Sequence, residues 1–127
     1  MSYCIVAQPR AWWPVTFPGV TEEGEVVENS FDMRFILHDE DEHNALMQAV
    51  GAVGGTIKEG DSFSTVAAPF IPRIATDWRG VLAENKEALK FEDEAIRLLV
   101  KQPGVWAAIW RAYAACRKAE PDIRAGN

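Results

Sequence analysis

Residue types that could bind a metal are concentrated between His38 and His43, where four acidic residues separate two histidines. This run differs from the His-Glu-x-x-His pattern of zinc sites, because its histidines stand five positions apart across a predicted strand–helix junction. Asp39 and Glu42 instead have the spacing of a helix capping box. The sequence therefore favours a capped, acidic helix start over a metal site.

Other motifs that could support catalysis are incomplete. The glycine-rich residues 51–56 lack the Gly-Lys-Ser/Thr ending of a phosphate loop, and no Gly-x-Ser-x-Gly run occurs. Cys116 stands beside three basic residues that could lower the pKa of its thiol, but a buried structural thiol is the favoured interpretation. We therefore expect a protein that is not an enzyme, with no catalytic residue, metal ligand or cofactor.

The composition is that of an ordinary soluble globular protein, with 48% apolar and 25% charged residues in a chain of 127. The net charge of −6 lies in the first half: residues 1–60 carry ten acids and three bases, and residues 61–127 carry nine acids and ten bases. Such a chain is repelled by nucleic acid, and no apolar run is long enough for a membrane helix. We expect free thiols in a reducing cytoplasm and no signal peptide.

The first part of the chain has the pattern of a β-hairpin. Residues 12–17 are aromatic or β-branched, and Pro14 and Pro18 confine such a strand to a sheet edge. Residues 27–37 alternate between apolar and polar side chains, apart from Asn29 and Ile36. A turn at residues 22–25 separates the two runs. The sequence predicts two antiparallel strands with one half-buried face.

Helical signals dominate from Asp39 onward. A first helix is predicted to end at Gly51, followed by a mobile glycine-rich loop. Pro72 suits the first turn of a further helix, and apolar spacing extends that helix through Trp78 to Gly80. After a connector with a turn near residue 85, two more helices are expected on either side of a break at residues 102–104. The last has an apolar stripe of Val105, Ile109, Ala112, Tyr113 and Cys116.

These elements predict an α+β fold, an N-terminal antiparallel β-hairpin or small sheet packed on a C-terminal bundle of short helices. We expect a single domain over residues 1–119, β-rich in residues 1–38 and helical in residues 39–119. Residues 120–127 are predicted to form a flexible tail.

The aromatic residues of the last predicted helix admit two interpretations. Trp106, Trp110 and Tyr113 cover a wide arc, and a small domain needs such large side chains in its core. Alternatively, part of the arc stays exposed with Arg111 as an anchor for a partner, since Trp, Tyr and Arg are enriched in interface hot spots. Because the arc exceeds an ordinary apolar face, it suggests two buried faces.

Several short motifs resemble the C-terminal half of tail assembly chaperones of long-tailed bacteriophages. The resemblance covers about residues 25–118 and includes a strand at residues 31–35 followed by an acidic helix. Its motifs are Asp77-Trp78-Arg79-Gly80-Val81, Phe91, Leu98-Leu99, Pro103-Gly104-Val105 and Trp110-Arg111-Ala112-Tyr113. The chain departs from that pattern at Lys90 and Glu92, where proline and serine are usual, and at Pro69 and Pro72, which interrupt a helix.

The resemblance implies a non-enzymatic chaperone that binds and solubilises the tape-measure protein while the tail tube polymerises, and that is absent from the finished virion. It implies action in the cytoplasm of a bacterial host, contact with the tail tube protein, and self-association as an open possibility. The candidate partner-binding residues are Trp78, Trp106, Trp110, Arg111 and Tyr113. Two alternatives remain: a structural tail or head–tail component retained in the virion, and a small cytoplasmic ligand-binding domain.

Overall fold

A computed structural model describes residues 1–120, so most of the predicted tail (residues 120–127) lies outside the described part of the chain. The fold is α+β, as predicted: a three-stranded antiparallel sheet is covered on one face by helices. The elements, in chain order, are β1 (Arg10–Val20), β2 (Val26–Ile36), α1 (Glu40–Val53), α2 (Phe63–Ala67), α3 (Ile71–Ile74), β3 (Ala75–Arg79), α4 (Asp93–Val100) and α5 (Val105–Lys118).

The predicted hairpin is confirmed and is longer than the sequence pattern indicated. β1 and β2 pair without interruption from Arg10 opposite Ile36 to Val20 opposite Val26. Gly24 adopts a positive φ of 87° in the turn between them. The alternation of β2 places Phe31, Met33 and Phe35 in the core, as expected for a half-buried strand. The sheet order β1-β2-β3 also places β1 at an edge, in agreement with its two prolines.

The structure corrects the predicted helix that included Trp78. α3 ends at Ile74, and the next five residues form β3, which pairs with β2 so that Trp78 lies opposite Met33. The apolar spacing misled because residues 74, 75 and 78 are all buried, as a helical face would be. Pairing with the open edge of β2 satisfies the backbone of this segment in an extended form. The predicted helical part, residues 39–119, therefore contains a strand.

The start of α1 is confirmed, and its predicted end is wrong. The Asp39 carboxylate accepts from the Glu42 amide at 2.8 Å, and Glu42 in turn accepts from the Asp39 amide, which completes the capping box. The helix continues through Gly51 to Val53 and then tightens into a 3₁₀ turn at Gly54–Thr56. A single glycine inside a helix costs only about 1 kcal/mol relative to alanine, so it does not have to end it.

α4 and α5 follow the predicted pattern closely. Phe91 precedes α4 and packs its ring against the edge of Trp78, with centroids 5.1 Å apart. The break between the helices depends on Gly104, which has a φ of 79° immediately before α5. Every residue of the predicted α5 stripe is buried. This stripe faces β1 and β2, and a single core cluster joins the sheet to the helices.

A pair of glycine substitutions separates backbone strain from helix propensity. Gly104→Ala should lower the free energy of unfolding by about 1–2 kcal/mol, because an alanine at positive φ is strained although the site has open space. Gly51→Ala, also in open space but inside α1, should raise it by about 0.5–1 kcal/mol. Urea unfolding of both variants measures these changes; shifts of the same sign would show that the two glycines do not differ in backbone strain.

Candidate partner-binding surface

The acidic run at the start of α1 has structural contacts and no metal geometry. His38 Nε2 lies 2.6 Å from the Arg73 carbonyl oxygen, and His43 Nδ1 lies 3.0 Å from the Tyr113 hydroxyl. Within residues 1–120, no group of three or more His, Cys, Asp or Glu side chains is arranged to hold a metal ion. The two histidines instead join the strand–helix junction to α3 and α5.

Cys116 is a buried thiol, as the sequence favoured. Its side chain is part of the core cluster, and burial raises the pKa of the thiol above its ordinary value. A raised pKa lowers the thiolate fraction, which is the nucleophilic form. The basic residues at the end of α5 therefore do not create a reactive cysteine.

Two of the five candidate partner-binding residues lie in the core. Trp78 is 5% exposed, and its indole N–H donates to the Leu89 carbonyl at 2.8 Å. Tyr113 is 1% exposed and packs against Phe35, with ring centroids 5.7 Å apart. Neither side chain offers surface to a partner in this fold. Their predicted partner-binding role is therefore corrected to a structural one: they fix β3 and α5 to the rest of the core.

Arg111 is exposed but tethered to the sheet. Its Nη2 donates to the Thr16 carbonyl at 2.7 Å, which links α5 to the outer edge of β1. Along an edge strand, the backbone groups of every second residue face outward, so Pro14 and Pro18 face outward together with Thr16. The two prolines have no N–H that could bond a further strand at this edge. Arg111 and the two prolines thus occupy the sheet edge, where another strand would otherwise pair.

Trp106 and Trp110 are half-buried and belong to a ladder of aromatic edge contacts. Phe63 contacts Trp106, Trp106 contacts Trp110, and Trp110 contacts Tyr113, with centroid distances of 5.8, 5.6 and 5.7 Å. The ladder runs from α2 along α5 into the core. Each tryptophan therefore packs against the core and keeps part of its surface accessible, and a partner-binding role for the two stays a prediction.

An apolar concavity that contains none of the five candidate residues lies between the tip of the hairpin and the α4–α5 junction. We call it the tip groove. It has a volume of about 560 Å³ and is lined by Phe17, Pro18, Gly19, Val20, Val26, Asn29, Leu99, Gln102, Pro103 and Val105. None of these residues carries a charge. Its rim is well exposed, since Val20 and Val26 are 71% and 77% accessible.

Local sequence explains the shape of the tip groove. The hairpin extends beyond the residues that the helices cover. The apolar pair next to its turn, Val20 opposite Val26, therefore stays exposed. The α4–α5 break, with Pro103 and the positive φ of Gly104, turns the chain away and leaves the far wall of the groove. Sequence analysis missed this site. The sequence feature that could have indicated the groove is the pair of valines, Val20 and Val26, on either side of an acidic turn.

Within the described residues, every helix is too short or too polar to cross a lipid bilayer. The hairpin tip and the junction of two short helices form the apolar surface of the tip groove. Exposed apolar patches rimmed by polar residues are typical of surfaces that bind another protein, a membrane or a ligand.

Comparison with known proteins yields no match to a family model, to a curated protein or to a solved structure. The geometry of the chain itself is therefore the basis for the functional proposal.

A pH-dependent contribution to stability is expected from the α1–α5 contact. Burial, followed by the nearby Arg117 and His38, lowers the pKa of His43 below 6.5, while burial raises the pKa of Tyr113. Unfolded chains then bind the His43 proton more readily than folded ones. The stability present above pH 6.5 is consequently lost as the pH falls through the lower folded-state pKa of His43.

His43→Gln removes this ionisation and keeps a polar group beside Tyr113. The free energy of unfolding, measured by urea titration from about pH 8 to about pH 5, should decline less steeply in the variant than in the native chain. Parallel pH profiles would show that His43 does not carry the effect.

Proposed function

We propose that this protein is an assembly chaperone that binds apolar helical segments of a client through the tip groove. The observation that carries the proposal is the exposed, uncharged groove between the hairpin tip and the α4–α5 junction. An amphipathic helix that packs its apolar face into a groove is a recurring mode of recognition, with anchors one turn apart. A client with exposed apolar stripes would be shielded from aggregation in this way.

The charge distribution supports a solubilising role. The hairpin turn beside the groove carries Glu22, Glu23 and Glu25, and the chain has a net charge of −6. Copies bound along one client would therefore present an acidic exterior that keeps the complex in solution. Modest affinity per copy permits release, because many copies on one client raise the total occupancy.

On the strength of the sequence resemblance, we propose the tape-measure protein of a bacteriophage tail as the client and the tail tube protein as a further contact. The chaperone would act in the cytoplasm of the bacterial host and leave before the virion is complete. Retention as a structural tail component is the rival proposal. Mass spectrometry of purified virions separates the two, since abundant copies in the particle would exclude a chaperone that leaves.

The groove is tested directly by charge substitution at its rim. Val20→Asp combined with Val26→Asp should reduce capture of co-expressed tape-measure fragments by at least about tenfold, because apolar burial on this scale contributes well over 1.4 kcal/mol. Both positions are exposed, so the melting temperature should change little. Pull-down followed by quantitative mass spectrometry measures the effect.

Leu82→Asp is the matched control, since Leu82 is an exposed apolar residue that does not line the groove. It should leave capture unchanged. Equal loss in both variants would point to general repulsion, and undiminished capture by the groove variant would place the client elsewhere. If the groove variant captures the client normally and Trp106→Ala does not, the client binds the exposed part of the aromatic ladder instead.

A further inference from the structure

A second exposed apolar feature lies at the opposite end of β1. Residues 1–8, which we call the N-terminal arm, precede the first pair of the hairpin ladder, Arg10 opposite Ile36. The arm is exposed along its length: Tyr3 and Ile5 are both 87% accessible, and Val6 is 57%. The chain is anchored to the fold just after it, where the Leu37 amide donates to the Pro9 carbonyl at 2.8 Å.

The arm has a strand-like composition, and its residues line an open concavity together with Leu37, His38, Asp39 and Arg117. Aromatic and β-branched residues occupy positions 3, 5 and 6, and the arm contains no charged side chain. Such residues favour extended structure and gain stability when a neighbouring surface covers them. An uncharged apolar segment of this kind is a site of association when it stays exposed.

The arm cannot fill the tip groove of its own chain. Val6 and Ile5 are four and five residues from Arg10 and can therefore reach at most about 14 and 18 Å from the start of β1. Tyr3 reaches about 25 Å only when the arm is fully extended and turned back along the strand, which brings it to the near end of the groove alone. Phe17, the first groove residue on β1, lies seven residues along the strand from Arg10, or about 23 Å. In addition, β1 runs away from the arm. Two apolar surfaces at opposite ends of one strand can meet only between copies.

Charge also favours this pairing over other contacts between copies. The negative charge of the chain is concentrated in residues 22–60, which carry ten acids and two bases, so copies repel each other where these residues meet. The first 21 residues are an exception, because they contain no acid and one base, Arg10. The groove stands beside the acidic turn at Glu22, Glu23 and Glu25, and the uncharged side chains of the arm approach this rim without repulsion.

We propose that the N-terminal arm of one copy occupies the tip groove of the next, which links copies head to tail. The contact is heterologous, because it joins two different surfaces, and it therefore generates rings or open chains of copies rather than a closed two-fold dimer. A client helix that enters the same groove displaces the arm; this consequence alone rests on the proposed function.

The test uses two variants that each lack one half of the interface. One chain lacks residues 2–8, and the other carries Val20→Asp with Val26→Asp. The native chain should form assemblies whose size grows with concentration, measured by sedimentation velocity, and each variant alone should remain monomeric. Mixing the two should yield a 1:1 heterodimer that grows no further, because only one arm and one groove remain intact.

The controls distinguish head-to-tail contact from other association. Reducing conditions prevent disulfides through the exposed Cys4, and thermal melts confirm that both variants are folded. Leu82→Asp should assemble like the native chain. A synthetic peptide of residues 1–9 should dissociate native assemblies, and changing its Ile5 to Asp should weaken this effect by about tenfold or more.

Several results would overturn the proposal. A native chain that stays monomeric at all concentrations would do so, as would a mixture of the two variants that forms no heterodimer. Assembly of the groove variant alone would show that arms bind each other or another surface. No client protein is present in these measurements. Their failure would therefore not bear on the proposed chaperone function, which the pull-down with tape-measure fragments tests separately.

Discussion

Packing of α5 against the inner face of the hairpin is the contact on which the rest of this structure depends. Tyr113 contacts the ring of Phe35 from β2, and its hydroxyl lies next to the imidazole of His43 from α1. Arg111 bonds the carbonyl of Thr16 on β1, and Arg117 bonds the carbonyl of His38 at the end of β2. One helix thus fixes both strands of the hairpin and the start of α1 through apolar burial combined with charge-assisted hydrogen bonds.

This arrangement determines which surfaces remain for a partner. At the outer edge of β1, the two prolines and Arg111 block further strand pairing. On the face away from the helices, the guanidinium carbon of Arg79 lies 4.2 Å from the centroid of the Trp12 ring, and Trp12 is half-buried. Within the described residues, open apolar surface includes the two ends of the sheet: the tip groove and the N-terminal arm. Both the proposed function and the proposed contact between copies concern those ends.

The aromatic residues of α5 show how one helix can serve two requirements. Its central stripe is buried against the sheet, while Trp106 and Trp110 continue outward to Phe63 on α2. The wide apolar arc contacts two sides of the fold, because α5 packs on β1 at one side and contacts α4, and Phe63 of α2, at the other, while Trp106 and Trp110 stay half-buried. The tryptophans consequently contribute to stability first, and their remaining exposed surface is secondary to that of the groove.

Much of the fold followed from local sequence. Alternation in β2, the capping residues Asp39 and Glu42, and the stripe of α5 each have a period or spacing that a single element imposes on its own residues. The strand at Ala75–Arg79 did not follow, because only the open edge of β2 makes extended structure favourable there. The same holds for the binding surface. Sequence identified Trp78 and Tyr113 as large side chains, but their burial depends on neighbours tens of positions away. The tip groove arises where the hairpin outreaches the helices, and only tertiary packing decides how far each element extends.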